Sequence, residues 1–207
     1  MPRVSAEHLE RRRQQILDAA RLCFARKGFF ETSMQDVFAE SGLSAGAVYR
    51  YFKSKDELIT ALAAQTTVRL RTVMSEAIHR DQLPTPADLI TTIAEEVVRH
   101  SGPDGPVRLA PQAWALALVR PEAGAVVRET VSAMRALWVT YAERMRALGW
   151  LPEDADTDAV AKAIIGLLPG FILQHLLLGD TTPEMLARGV RTLLPYGETE
   201  STTSEVG

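Results

Sequence analysis

A run of very small residues opens one short predicted helix. Ser44 is followed by Ala45, Gly46 and Ala47. Small residues let a backbone approach the edges of DNA bases, and an alanine methyl can pack on a thymine methyl, although high helix propensity is an alternative reason for the alanines. Arg50 is the only long donor on this helix. It either reads guanine through paired hydrogen bonds or, as its late position favours, binds a phosphate.

A second set of residues stands where predicted helices begin. Thr32 and Ser33 precede the second helix, and Lys55 lies in the first turn of the fourth. A helix N-terminus presents free N–H groups that bind phosphate, and Lys55 adds a positive charge. Because a cation in the first turn is unfavourable for the helix dipole, its placement indicates a partner. We therefore predict that all three residues lie near backbone phosphates.

The charge distribution favours the same end of the chain. The net charge is −3, but residues 1–60 carry +2 and residues 61–207 carry −5. Phosphate binding needs local positive charge rather than a basic protein as a whole. Arg11, Arg12 and Arg13 either reach DNA as an N-terminal arm or form a solvated helix start, and the sequence leaves both interpretations open.

The elements that carry these residues are predicted to be helices throughout, in an all-α fold. No segment alternates apolar and polar residues over the length of a strand, and glycine and proline fall where helices end and begin. Ser33 with Asp36, and Ser54 with Glu57, have capping-box spacing. The predicted helices span about residues 7–27, 33–42, 44–52, 54–80, 85–100, 107–119, 121–148, 157–178 and 182–194.

Two short helices joined by a turn at Gly42 have the length and spacing of a helix-turn-helix. The stretch from Gly28 to Leu58 also resembles, without a gap, the N-terminal signature of the TetR family of transcription regulators. Two residues depart from the family pattern, since Phe38 stands where a small residue is usual and Ser41 where alanine is usual. Both are expected to affect packing of the second helix rather than the DNA face. The matching positions are Gly28, Phe29, Thr32, Ser33, Met34, Asp36, Val37, Gly42, Ser44, Gly46, Tyr49, Tyr51, Phe52, Lys55 and Leu58.

The resemblance implies a three-helix, N-terminal DNA-binding unit followed by a larger helical bundle for ligand binding and dimerisation. The third helix would enter the major groove of double-stranded DNA. Tyr49 and Tyr51 would offer hydroxyls to phosphates, with core packing as the alternative. We predict a helix-turn-helix domain over residues 1–55 and a ligand-binding and dimerisation domain over 56–195. Residues 196–207 lack core-forming residues and are predicted to be a disordered tail.

Dimerisation is assigned to the last two predicted helices. The stretch 159–179 is apolar nearly all round, so it must be buried on several sides. We reject a membrane span because the unbroken apolar run 163–173 falls short of the roughly 20 residues needed and contains Pro169. Gly166 and Gly170 would permit close helix approach, and the resemblance implies a four-helix interface in a homodimer. The predicted interface residues are Ile164, Leu167, Ile172, Leu176, Leu186, Val190 and Leu193.

A sensing site is predicted in the bundle, where aromatic and methionine side chains recur. Their helical spacing is equally typical of a plain core, and the usual role of His175 is structural. Few charges among them would suit a small, mostly apolar effector, whose polar groups Gln112 and Gln174 could orient. The candidate lining residues are Trp114, Met134, Trp138, Tyr141, Met145, Leu168, Phe171 and His175.

Other classes of function lack their motifs. The sequence shows no phosphate loop, nucleophile motif or metal-spaced histidines, so we predict no enzyme activity, no cofactor and no metal site. The single cysteine, Cys23, excludes an internal disulfide, which fits a cytoplasmic location. Two alternatives stay open: a dimeric DNA-binding regulator that takes no ligand, and an activator instead of a repressor.

Overall fold

The computed structural model describes residues 6–196, apart from the side chains of Thr66, Glu122 and Ala123. Throughout these residues the chain forms helices, turns and loops without a strand, which confirms the predicted all-α class. A single 3-10 turn, Pro106–Leu109, precedes α6. The helices are α1 Ala6–Glu31, α2 Met34–Ser41, α3 Ala45–Tyr49, α4 Lys55–Ile78, α5 Pro86–Arg99, α6 Ala110–Val119, α7 Pro121–Ala147, α8 Thr157–Ile165, α9 Leu167–Leu177 and α10 Pro183–Leu193.

The predicted capping residues begin and end the short helices. Ser33 Oγ accepts the Asp36 N–H at 3.2 Å, and the Asp36 carboxylate accepts the Ser33 N–H at 2.7 Å, which completes the capping box. A hydrogen bond from Lys27 is the main reason that the pKa of Asp36 lies well below its ordinary value. Gly42 ends α2 with a φ of 65°, a conformation that glycine adopts without strain.

The second predicted capping box is only half formed. Ser54 Oγ accepts the Glu57 N–H at 3.2 Å, as expected. The Glu57 carboxylate, however, accepts the N–H of Lys53 at 2.6 Å, one residue before the expected donor. The Ser54 hydroxyl and the Glu57 carboxylate thus each bind a backbone N–H at the N-terminus of α4. These two bonds fix the chain between α3 and α4.

The described residues form two compact units. Unit 1 holds the residues up to Arg69 together with Arg99–Ser132, and unit 2 holds Leu70–Val98 together with the residues from Ala133 onward. This division differs from the predicted boundary after residue 55, because residues 99–132 pack with the N-terminal helices. The functional division at residue 55 stays a prediction, and most of the predicted tail, residues 197–207, lies outside the described residues.

Unit 1 has one apolar core beneath the helix-turn-helix. Phe24 of α1 and Val48 of α3 are both fully buried in it. The first turn of α6 and the residue before it also contribute, which sequence periodicity did not reveal. The buried members of this core are Ile16, Leu17, Ala20, Cys23, Phe24, Phe29, Val37, Val48, Phe52, Leu58, Ile59, Leu62, Leu109, Ala113 and Leu116.

The core of unit 2 is built from the end of α4 together with α5, α7, α8 and α10. Trp138 and Tyr141 meet edge to face, with ring centroids 5.8 Å apart. The Tyr141 hydroxyl donates to the carbonyl of Pro84 at 2.8 Å, and burial raises the pKa of this hydroxyl. Arg144 donates to the carbonyls of Ile78, Arg80 and Asp81. These bonds fix the corner between α4 and α5.

The single helix predicted over residues 157–178 is wrong in one respect, because it is two helices. The break falls at Gly166, between α8 and α9. Pro169 lacks an N–H and its ring crowds the carbonyl four residues earlier, that of Ile165, so the helix cannot run through. The sequence analysis identified Pro169 as an interruption of the apolar run. It did not predict that the helix would break one turn earlier, at Gly166.

One stretch in the described part of the chain passes a test for a membrane span by length and composition. It covers Thr157–Leu177, has a mean hydropathy of 1.7 and leaves much of its surface uncovered in the single chain. The break at Gly166 divides it, and Ala161 and Ile164 of α8 are buried in the core of unit 2. An apolar surface of this kind fits contact with another protein chain.

Candidate nucleic-acid interface

Helix α3 is anchored on one side and open on the other. Val48 is fully buried, and Phe52, just beyond the helix, is also in the core of unit 1. Ser44 Oγ accepts the Ala47 N–H at 3.3 Å and so caps the helix. The structure leaves Ser44, Ala45, Gly46, Tyr49 and Arg50 exposed and Ala47 half-buried. The predicted small-residue face is therefore free to approach a ligand.

Tyr49 packs against Phe38, which the sequence analysis expected to affect only the packing of the second helix. Its ring stands edge-on to Phe38 of α2, with centroids 5.4 Å apart, while 41% of the residue stays exposed. Phe38 thus supports a residue of the open face of α3, contrary to the expectation that it affects only α2. Ser41 is buried and its hydroxyl donates to the Phe38 carbonyl, which agrees with a packing role. Tyr51 is half-buried against the core of unit 1.

Positive charge gathers at the C-terminal end of α3. Arg50 is exposed, and its side chain makes no hydrogen bond or ion pair that the described residues show. Lys53 donates through Nζ to the Tyr49 carbonyl at 2.6 Å. Lys53 was not among the predicted DNA contacts, although its spacing of four residues from Tyr49 is the signal that would have placed it there.

Two predicted phosphate contacts have structural partners instead. Thr32 is 1% exposed, and its hydroxyl donates to the carbonyls of Gly28 at 2.7 Å and Cys23 at 3.2 Å. Its side chain is therefore unavailable to DNA, so this prediction is corrected. Lys55 Nζ donates to the Thr32 carbonyl at 2.8 Å and lies 4.5 Å from the centre of the Phe29 ring. The partner inferred from its unfavourable helix position is internal.

Ser33 and the basic residues at the start of α1 are also engaged within the chain. Ser33 is exposed, but its hydroxyl and its N–H are both bonded to Asp36. Arg11 pairs with Glu7 at 3.7 Å, and Arg13 lies 5.4 Å from the centre of the Phe52 ring. Since α1 already begins at Ala6, the described residues favour the solvated helix start over an extended arm.

The predicted sensing residues separate into three environments. Trp114 lies in unit 1, half-buried on α6. Met134, Trp138, Tyr141 and Met145 belong to the packed core of unit 2, and Leu168 packs against it. His175 stacks on Phe171 and its Nδ1 lies 3.0 Å from the Thr181 carbonyl, which supports the structural alternative for this histidine.

The predicted interface residues divide between the core and the surface of unit 2. Ile164, Ile172 and Val190 are buried within the chain and offer a partner little surface, and their assignment to an interface stays a prediction. Leu167, Leu176 and Leu186 are half-buried, and Leu193 is exposed. Leu173, Leu177, Leu178 and Met185, which the sequence analysis did not name, are exposed apolar residues on or next to α9 and α10. Single-helix periodicity could not tell which face the neighbouring helices cover.

A groove of about 320 Å³ opens beside these helices in unit 2. Apart from Tyr196, its walls are entirely apolar. Met145 is its only member among the predicted sensing residues. The lining residues are Met145, Leu151, Val160, Ala163, Ile164, Leu167, Val190, Leu193, Leu194 and Tyr196.

The capped α2, the turn at Gly42 and the anchored, open-faced α3 define the class of helix-turn-helix DNA-binding regulators. Comparison with known proteins agrees. Residues 16–62 match the model of bacterial regulatory proteins of the tetR family, and residues 86–195 match that of the C-terminal part of BetI-type transcriptional repressors. The second match alone covers more than half of the chain, and the chain belongs to the TetR family.

Individual relatives support the same assignment. The chain is 41% identical over 90 residues to the HTH-type transcriptional repressor Rv1474c of Mycobacterium tuberculosis, a match that spans 42% of this chain and 48% of that relative, about half its length. Salmonella enterica GusR has the same fold, with a TM-score of 0.74 at 22% identity over 94% of this chain and all of that one. SmeT, the repressor of the Stenotrophomonas maltophilia multidrug efflux pump SmeDEF, gives 0.69 at 24% identity over 94% of each chain. Regulators of this family typically bind DNA as dimers and respond to small molecules.

Proposed function

We propose that this protein is a homodimeric, cytoplasmic repressor that binds a palindromic operator and releases it when a small, mostly apolar effector binds. The observation that carries the proposal is the exposed face of α3, where small residues precede Tyr49 and Arg50. Val48 anchors this helix to the core, so the face has a fixed shape. The DNA contacts are assigned to Ser44, Ala45, Gly46, Ala47, Tyr49, Arg50 and Tyr51.

The first test is selection from a random duplex library at near-physiological salt. We expect enrichment of a palindrome whose half-sites are one helical turn apart, because a two-fold dimer presents two α3 helices to successive major grooves. Arg50→Ala should weaken binding to this duplex at least tenfold, about 1.4 kcal/mol. Arg71→Ala, which alters an exposed arginine of α4 in unit 2, serves as the matched control. Retention without sequence preference, or equal binding by Arg50→Ala, would contradict the assignment.

The same variant separates the two roles open to Arg50. If its guanidinium binds a phosphate, Arg50→Ala should weaken the salt dependence of binding. The plot of log affinity against log salt should become less steep by about 0.9, and the selected sequence should stay unchanged. If it reads guanine, the salt slope should stay and the preference at one base pair should relax. Repeating the selection with the variant distinguishes these outcomes.

Effector binding is assigned to unit 2. The Trp138 indole N–H is buried, and it is the one buried side-chain polar atom in the described part of the chain that lacks a hydrogen-bond partner. Because an indole offers only a donor, the effector that suits this position is apolar with one hydrogen-bond acceptor. The sensing residues proposed on this basis are Met134, Trp138, Tyr141, Met145, Leu168 and Phe171, and the apolar groove beside α8 and α10 extends the accessible surface.

Effector release is tested with compounds that raise the melting temperature of the free protein. A compound that binds the DNA-free state preferentially should lower operator affinity by the same factor by which operator lowers its own affinity, because the two couplings are reciprocal. A compound that binds tightly and leaves operator affinity unchanged would sink the proposed mechanism. DNA binding would then be independent of that compound, as in the alternative of a ligand-independent regulator.

A further inference from the structure

The C-terminal turn of α1 is joined to α6 by one side chain. Gly28 interrupts α1 with φ 79° and ψ 163°, a conformation that residues with a Cβ rarely adopt. Directly after it, the Phe29 N–H donates to Oε1 of Gln112 at 2.6 Å. Sequence reasoning had offered Gln112 to a ligand, whereas the structure places it against α1, within unit 1.

The same short segment, Gly28–Thr32, also holds the ends of α2 and α4. Lys55, in the first turn of α4, donates to the carbonyls of Phe30 and Thr32. The Thr32 hydroxyl donates back to the Gly28 carbonyl at 2.7 Å, and Ser33, the next residue, caps α2. A shift of this segment therefore moves the starts of the two helices that flank the recognition helix α3.

Helix α6 and the 3-10 turn before it share the core of unit 1 with α1. Leu109, Ala113 and Leu116 are buried in the core of unit 1. In the loop before α6, Asp104 pairs with Arg26 at 3.4 Å, and its carbonyl accepts a bond from Arg21. Gln112 is fixed at its other end, because Nε2 donates to the Arg108 carbonyl at 3.3 Å. Both polar atoms of this amide are thus used, one on the 3-10 turn that precedes α6 and one on α1.

We infer that Gln112 is a positioning residue for DNA binding, through which the placement of α6 sets the placement of segment Gly28–Thr32 and so of α2 and α4. The inference rests on the proposed DNA-binding function and concerns only contacts within unit 1.

The test compares three substitutions at this position on the duplex that the wild-type protein selects. Gln112→Met keeps the length but removes the acceptor, Gln112→Asn keeps the amide but shortens its reach, and Gln112→Glu keeps an acceptor oxygen in place. We expect the first two to bind about tenfold more weakly, as when a donor loses its acceptor, and Gln112→Glu to restore most of the affinity. Hydrogen exchange of the Phe29 amide should accelerate in Met and Asn and stay slow in Glu. Gln82→Met, at an exposed glutamine of unit 2, is the control.

The outcomes separate this inference from the proposed function. If the wild-type protein selects no duplex, the proposed DNA-binding function itself is wrong. If the wild type binds and folded Gln112→Met and Gln112→Asn bind equally well, with the Phe29 amide still protected, the positioning role is overturned while DNA binding stands. If Gln112 served only to stabilise the fold, all three variants would have a lower melting temperature. Gln112→Glu would then not restore DNA affinity.

Discussion

Leu177→Glu is expected to yield a monomer that binds the operator at least about a hundredfold more weakly than the wild-type protein. The expectation depends on linkage between half-sites, because a dimer binds the second half-site as an intramolecular step and gains roughly 10²–10⁴ in affinity from it. Leu177 is 76% exposed at the end of α9, a helix whose only polar side chains are Gln174 and His175. A carboxylate there would have to be desolvated against the partner's apolar surface, which is costly without a counter-charge.

Only exposed apolar side chains of α9 and α10 are suitable positions for this test. Leu173 and Leu177 are four residues apart and share one face of α9, and both are exposed. On α10, Met185 and Leu193 lie two turns apart and are exposed as well. We propose these four side chains, with Leu178, as the centre of the dimer contact. Ile164, Ile172 and Val190 are buried within the chain and offer a partner less surface.

The measurement is molar mass by sedimentation at several protein concentrations, followed by operator titration. Leu118→Glu is the matched control, since Leu118 is a leucine on α6 of unit 1 that is 89% exposed. It should stay dimeric and bind the operator with nearly wild-type affinity. A Leu177→Glu protein that sediments as a dimer would show that the interface lies on another surface. A dimeric wild type that binds DNA no better than its monomeric variant would contradict the half-site argument.

Local signals predicted the elements of this fold well. Ser33, Gly42 and Ser44 act through neighbours at most four residues away, so the sequence alone places both ends of α2 and the start of α3. The exposed small residues of α3 follow from the same reasoning. Pro169 shows the limit of local rules, because the break that it causes appears one turn earlier, at Gly166.

Contacts between distant parts of the chain are what the sequence did not reveal. Thr32 and Lys55 matched a family pattern and seemed free for phosphate, yet each is held by carbonyls of the α1 end. Gln112 reaches a residue 83 positions away, and no periodicity within α6 marks that bond. The same cause explains the interface residues, since the face that a bundle buries depends on where the other helices pack.

Arg144→Ala should lower the free energy of unfolding by about 3 kcal/mol, because hydrogen bonds from a charged group are worth about 1.5–3 kcal/mol each and more than one is lost. Arg144 caps the C-terminal end of α4 through the carbonyls of Ile78, Arg80 and Asp81. The buried Tyr141, one turn earlier on α7, binds the Pro84 carbonyl and has no means of replacing these donors. The corner between α4 and α5 would keep only the tyrosine bond.

The corner that Arg144 holds lies at the end of helix α4, whose first turn holds the end of α1. Helix α4 begins in unit 1 with Lys55, which holds the α1 end, and finishes in unit 2 at the carbonyls that Arg144 binds.

Urea unfolding at one fixed protein concentration measures the loss of stability in Arg144→Ala, since the stability of a dimer depends on concentration. Arg144→Lys should recover only part of it, because an ammonium cannot present the guanidinium fork to three carbonyls. Arg135→Ala, at an exposed arginine of the same helix, is the control. If Arg144→Ala unfolds within about 0.5 kcal/mol of the wild type, as an ordinary surface substitution does, the corner is not held by Arg144.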